Sequence, residues 1–142
     1  MKIKGIVNKL IKENNTNDPF EIAHKKGINI IFKPFKQIYG FYSCYKRYQF
    51  IYINQNLSSQ EQKFVCAHEL AHAILHRYIN TPFLKKYTLF STDKIEKEAN
   101  TFAVELLMPD HFLYQFKNEN TSIYEAAQIY GVPKEFAKLK RI

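Results

Sequence analysis

The sequence predicts an α+β fold, a small antiparallel sheet packed on a central helix with further helices after it, in one domain spanning residues 1–142. Three observations carry this expectation. Three runs rich in β-branched and aromatic residues follow one another between residues 28 and 54. Segments of helical periodicity flank them on both sides. A chain of 142 residues with 46% apolar content has the size of one ordinary domain with its own core.

The elements follow in order. Ile3, Ile6, Val7, Leu10 and Ile11 trace one helical face, so a first helix is expected over Ile3–Glu13. Its basic start resembles a signal peptide, but Asn8, Lys9 and Lys12 interrupt the apolar run and no small-residue cleavage site follows. No stretch approaches the length of a membrane span. These features predict a cytoplasmic protein with no membrane partner. Asp18 is placed to cap a second helix with Pro19 at its first position, and Gly27 ends it. INIIFKPF, IYGFYSCY and YQFIYIN read as three strands, the last two joined by the turn Lys46-Arg47. Ser58 or Ser59, with Glu61 or Gln62 three residues on, opens the central helix, which is expected to reach about Tyr78. Thr81-Pro82 marks a break, residues 83–91 a loop, and Ser91 or Thr92 the cap of a helix that stops at Pro109. A short helix from Asp110 follows. A C-terminal helical hairpin over about 119–142 completes the chain, with Ser122 and Glu125 as a second capping box.

Cys44 and Cys66 form no C-x-x-C pair and no zinc-ribbon spacing, and they read as free thiols in a reducing compartment. The net charge of +8 is spread along the chain, with basic clusters at Lys85-Lys86 and at the C-terminus among others. Charge this diffuse is a property of solubility more than of a nucleic-acid surface.

The chemistry concentrates in KFVCAHELAHAILHRY, residues 63–78. His68 and His72 stand one helical turn apart and project from one side, which suits two adjacent corners of a tetrahedral zinc site. Glu69 lies about a quarter turn round from His68. It is out of the ligand row but able to reach a water beside the metal, as a general base must. Ala67, Leu70, Ala71, Ile74 and Leu75 make this helix apolar over a wide arc. Burying two histidines and a glutamate beside it costs several kcal/mol unless they are paired, and a metal or a salt-bridged cluster would satisfy them. His76 continues the row, but each turn advances about 5.4 Å, so one straight helix cannot wrap three successive turns round one ion. His76 therefore reads as a pocket-wall or helix-end contact.

A zinc site needs a third protein ligand. The helix TDKIEKEANTFAVELLMP buries Ile95, Ala99, Phe102, Ala103 and Leu106 on one face, with Glu96 and Glu98 on opposite edges of it and Glu105 further out on the side of Glu98. Geometry alone does not choose between Glu96 and Glu98. Tyr87, His76 and Arg77 are candidates for an oxyanion donor by residue type and nearness in sequence. Asn100 could orient a ligand or serve helix packing. YQFIYIN, just before the histidine helix, is the expected sheet edge onto which a peptide would add as a strand.

HELAH, then EANTFAVELLMP, then IYEAAQIYGVPKEFAKLKR resemble the ImmA/IrrE family of bacterial and phage metallopeptidases, in order and in spacing, from about Leu57 onward. The first motif is common to many zincins, whereas the second is specific. The resemblance implies a zincin-like domain holding one Zn²⁺ ion through His68, His72 and Glu98, the glutamate directly before Ala-Asn; two histidines and a carboxylate also accept another divalent metal such as Mn²⁺. It implies Glu69 as the catalytic base. It also implies a role in phages, mobile elements or stress circuits as an anti-repressor endopeptidase whose protein substrate is a helix-turn-helix transcriptional repressor.

The C-terminus offers a competing reading. Ala127, Gly131 and the short basic segment after Pro133 resemble part of a helix-turn-helix, which would make the chain a DNA-binding or non-catalytic regulator. KEFAKLKR carries few base-reading side chains and no later helix braces it, which argues for a hairpin that covers the core or docks the repressor instead.

Overall fold

The structure is a computed structural model that describes residues 2–79, 84–85, 93–116 and 121–141. Helix α1 (Ile3–Asn14) ends where Asn15 takes a left-handed conformation and returns its N–H to Ile11. Helix α2 (Pro19–Lys25) begins where the Asp18 side chain accepts from the Phe20 N–H at 2.9 Å, and Gly27 leaves it at φ +73°. Strands β1 (Asn29–Lys33), β2 (Ile38–Tyr45) and β3 (Tyr48–Asn54) follow. β2 and β3 form a two-residue hairpin through Lys46-Arg47, with Lys46 at φ +56° as such turns require.

After helix α3 (Ser59–Leu75), the two-residue strand β4 (Leu84–Lys85) returns to the sheet. Helices α4 (Lys94–Leu107), α5 (Asp110–Leu113) and α6 (Ile123–Ile129) follow. A 3-10 turn at Tyr114–Phe116 and a 3-10 segment at Lys134–Leu139 complete the described elements. The expected break at Thr81-Pro82, most of the loop after it and the caps at Ser91 or Thr92 lie outside the described residues; Asp93 is the N-cap position of α4.

The α+β class holds, with one refinement. The sheet order is β1-β3-β2-β4, and β1 runs parallel to β3, while the other pairs are antiparallel. β2 and β3 are adjacent in sequence and must turn back, whereas β1 reaches β3 only after β2 has been crossed. β3 is consequently an interior strand, and the expectation that YQFIYIN forms a sheet edge is corrected. Alternation along β3 turns Gln49, Ile51 and Ile53 inward, where they and Tyr42 of β2 meet α3. α3 is covered by α4 on another side and by α2 on a third, so most of its circumference is buried. The C-terminal segment lies over the start of α3, with the rings of Phe136 and Phe64 stacked at 5.7 Å. No helix among the described residues is long and apolar enough to cross a membrane.

Candidate metal centre

α3 opens with a complete capping box: the Ser58 hydroxyl accepts from the Glu61 N–H, and the Glu61 carboxylate accepts from the Ser58 N–H. Asn54, at the end of β3, donates to the Phe35 and Ile38 carbonyls and accepts from the Asn56 N–H, which fixes the chain between sheet and helix. These local bonds set where α3 starts, and hence which of its side chains face α4.

His68 and His72 are both fully enclosed, and both direct Nε2 at one carboxylate, that of Glu96 on α4. His68 Nε2 lies 2.9 Å from Oε1; His72 Nε2 lies 3.3 Å from Oε1 and 3.2 Å from Oε2. His68 Nδ1 faces Asn100 Oδ1 at 2.8 Å. Glu96 and Asn100 are themselves one turn apart, so a pair four residues apart on α4 meets a pair four residues apart on α3.

The electrostatics follow from this enclosure. Burial alone lowers the pKa of His68, but its bond to Glu96 and the charges of Glu69 and Glu96 overcome that, and the net is raised. For His72, burial and the neighbouring His68 outweigh the pull of Glu96, and the pKa is lowered. Burial raises Glu96, but the bonds from both histidines dominate and hold its carboxyl well below the usual range.

The group fits a divalent cation. Its three donor atoms lie within 4.8 Å of one another. Bonds of about 2.0–2.1 Å in a tetrahedral zinc site put neighbouring ligand atoms roughly 3.3 Å apart, close to the observed separations from His72 to Glu96. Glu96 Oε2 is buried and receives no hydrogen bond among the described residues, although His72 Nε2 is 3.2 Å away. A cation between the imidazoles and this oxygen would satisfy it.

The carboxylate that the structure brings together with His68 and His72 is that of Glu96, whereas the resemblance implied Glu98. Glu98 is two positions further on, about 200° round the helix, and its Oε1 accepts from His76 Nε2 at 2.8 Å. Glu96 shares one face of α4 with Asn100 and the fully buried Ala99 and Ala103, and α4 packs against α3. α3 stops at Leu75, earlier than expected, and His76 is its C-cap residue with non-helical backbone. His76 is outside the three-donor group and contacts His72 through Nδ1 at 3.0 Å. Glu69 sits beside His68 on α3, only 1% exposed. Arg77 is exposed, with its guanidinium 5.7 Å from the centre of the Tyr78 ring. Tyr87 lies outside the described residues.

The model of Peptidase M78, described as the IrrE N-terminal-like domain, matches residues 23–140. The chain belongs to that family. An "Uncharacterized immunity region protein 2" of Bacillus phage phi105 is 50% identical over 139 residues, covering 97% of this chain and 88% of that protein. "Metallopeptidase ImmA" of Bacillus subtilis (strain 168) is 37% identical over 113 residues, covering 78% of this chain and 66% of that protein. Membership of this peptidase family and the buried His68–His72–Glu96 group point to the same metal chemistry.

Glu96 was within reach of sequence reasoning. The spacing Glu96-x-x-x-Asn100 repeats the spacing His68-x-x-x-His72, and two polar residues one turn apart beside Ala99 and Ala103 mark a face turned inward. Glu98 shares its side of the helix with Glu105, a pattern that also serves the outward face of an ordinary helix.

Proposed function

We propose that the chain is a zinc-dependent endopeptidase that inactivates a helix-turn-helix repressor by cleaving it in the cytoplasm. The observation that carries the reading is the enclosed His68–His72–Glu96 group with Glu69 beside it on the same helix. The printed names of the relatives, one from a phage immunity region and one a metallopeptidase, support it. His68, His72 and Glu96 hold the ion. Two imidazoles and a carboxylate favour four-coordinate zinc, although the same donors accept manganese.

When bound, the ion supplies Lewis acidity, which polarises a peptide carbonyl and makes a neighbouring water a better nucleophile. Glu69 takes the proton from the attacking water as its oxygen bonds to the carbonyl carbon. The same carboxyl then gives that proton to the amine as the C–N bond breaks. Burial of Glu69 shields these transfers from bulk solvent, and the α3 backbone fixes its place relative to His68. The buried Asn100 keeps the His68 ring from turning by accepting from Nδ1.

The test is to dialyse purified protein against zinc, measure the bound metal, and incubate it with the helix-turn-helix repressors encoded in the same genome. Near-equimolar zinc and one defined cut are expected. Glu69→Gln should keep the zinc and lose about 10²–10⁴-fold in cleavage rate, and Glu96→Ala should lose the zinc. A folded protein that takes up no zinc, or a Glu69→Gln variant that cuts at the native rate, would overturn the proposal.

A further inference from the structure

His76 and Glu98 lie outside the three-donor group, yet a chain of hydrogen bonds ties them to it. His72 Nδ1 is 3.0 Å from His76 Nδ1, and His76 Nε2 is 2.8 Å from Glu98 Oε1. The chemistry of the groups gives this chain a direction. A carboxylate only accepts, so His76 Nε2 carries the proton that goes to Glu98. In its neutral form His76 would then present only a lone pair at Nδ1, and the proton between the two Nδ1 atoms would belong to His72. With a cation in place of the protons that bond the two imidazoles to Glu96 in the metal-free group, His72 would be left with its lone pair on Nε2, the atom that faces Glu96. His68 reaches the same condition by another route, since its Nδ1 proton goes to Asn100 Oδ1.

Two further observations fit a built arrangement. His76 is buried and the Glu98 side chain is only 17% exposed, so water has little access to replace either bond. His76 also stands at the non-helical C-cap of α3, where its ring is no longer bound to the geometry of the helical row. A third histidine one turn beyond His72 thus has a use that does not require it to be a ligand.

We infer that Glu98 and His76 form a positioning relay for His72, fixing the tautomer and ring orientation in which Nε2 can hold the metal. Glu98 is then a positioning residue and not a ligand. The inference rests on the metal-site reading proposed above and extends it to a second layer, in which Asn100 serves His68 and the His76–Glu98 pair serves His72.

The test is zinc affinity, measured by competition with a chromophoric chelator, for the wild type and for Glu96→Ala, Glu98→Ala, Glu98→Gln, His76→Phe and the double variant His76→Phe/Glu98→Ala. Glu96→Ala should abolish binding. Glu98→Ala and His76→Phe should each weaken it about 10–100-fold. Glu98→Gln should stay close to the wild type, because its amide oxygen accepts the same proton. The double variant should bind no more weakly than His76→Phe alone, because Glu98 acts through His76. Nitrogen-15 NMR of the zinc-loaded wild type should show a protected Nδ1 proton on His72 that His76→Phe loses.

Native affinity in both Glu98→Ala and His76→Phe would overturn the relay while leaving the metal site standing. So would equal weakening in Glu98→Ala and Glu98→Gln, which would point to a merely structural carboxylate position. If Glu98→Ala abolished binding and Glu96→Ala spared it, Glu98 would be a ligand. A folded wild type that binds no zinc would instead remove the metal reading itself, and the relay with it.

Discussion

Tyr42 joins the sheet to the end of the histidine helix. Its side chain is fully buried, its hydroxyl donates to the Arg77 carbonyl at 2.6 Å, and it accepts from Gln49 Nε2 at 2.8 Å. The same Gln49 amide donates to the Ala73 carbonyl at 2.9 Å. Sheet side chains thereby satisfy carbonyls at and beyond the last turn of α3, where a helix has no donors of its own. Burial pushes the Tyr42 hydroxyl up to about 12, even though the bond from Gln49 pulls it down. In the unfolded chain a tyrosine releases its proton near 10. Between these values the native state holds a proton that the unfolded state has lost, so the contribution of Tyr42 to stability is intact below about pH 10 and is lost as pH rises toward 12. Tyr42→Phe leaves the Gln49 amide and the Arg77 carbonyl each short of one bond, and should cost about 1–3 kcal/mol at neutral pH. Urea unfolding of both proteins, repeated at increasing alkaline pH, should show the gap closing above about pH 10. A gap that stays constant would mean that Tyr42 ionises no later in the native state than in the unfolded chain.

Gly40 of β2 is crowded by both β3 and α3. A Cβ at this position would lie 2.4 Å from the Tyr52 carbonyl oxygen and 2.8 Å from Val65 Cγ1. The first obstacle is backbone of the paired strand β3, so a rotamer change cannot relieve it. Gly40→Ala should cost about 1–3 kcal/mol or more through forced backbone displacement. Denaturant titration should show a lower midpoint at unchanged slope, and a native midpoint would show that β2 and α3 have room to part. Val65 lies one turn before His68 and Glu69, so the same displacement reaches the metal group. The strands β2 and β3 and the start of α3 were legible in the sequence because their signals are local: alternation, a two-residue turn and a capping box all act within a few residues. The parallel pairing of β1 with β3 and the existence of β4 depend on contacts distant in sequence, and no local pattern records them. The choice between Glu96 and Glu98 was hidden for a related reason. Both flank the same apolar stripe, and only the rotation of α4 against α3 turns one to His68 and His72 and leaves the other at His76.

The far end of α4 is held by charges that join several parts of the chain. Lys140 Nζ, fully enclosed, donates to Glu105 Oε1 at 2.6 Å and to Asp110 Oδ1 at 2.8 Å. The Arg141 N–H donates to Glu105 Oε2 at 2.9 Å. Lys4 of α1 reaches Asp110 at 2.9 Å and also donates to the Arg141 carbonyl. α1, α4, α5 and the C-terminal segment therefore meet at one buried ion pair. Glu105 is 2% exposed. The basic segment that could have served as the second helix of a helix-turn-helix is a 3-10 turn, with Phe136 and Ala137 packed inward and the cation of Lys140 already committed. A buried pair of this kind gains little over an apolar pair of equal volume, but removing one member strands the other charge without solvent. Lys140→Met keeps the aliphatic stem and removes the cation, leaving Glu105, among the described residues, with only the Arg141 N–H. It should destabilise the protein by about 3–5 kcal/mol in urea unfolding. Adding Glu105→Leu to it removes the stranded charge and should recover more than half of that loss, although the Arg141 N–H then lacks its acceptor. If Lys140→Met alone were neutral, Glu105 would have to reach water, and α4 would not be anchored at the end opposite Glu96 and Asn100. If the double variant were as unstable as the single, the loss would lie in packing around the Lys140 stem and not in an uncompensated charge.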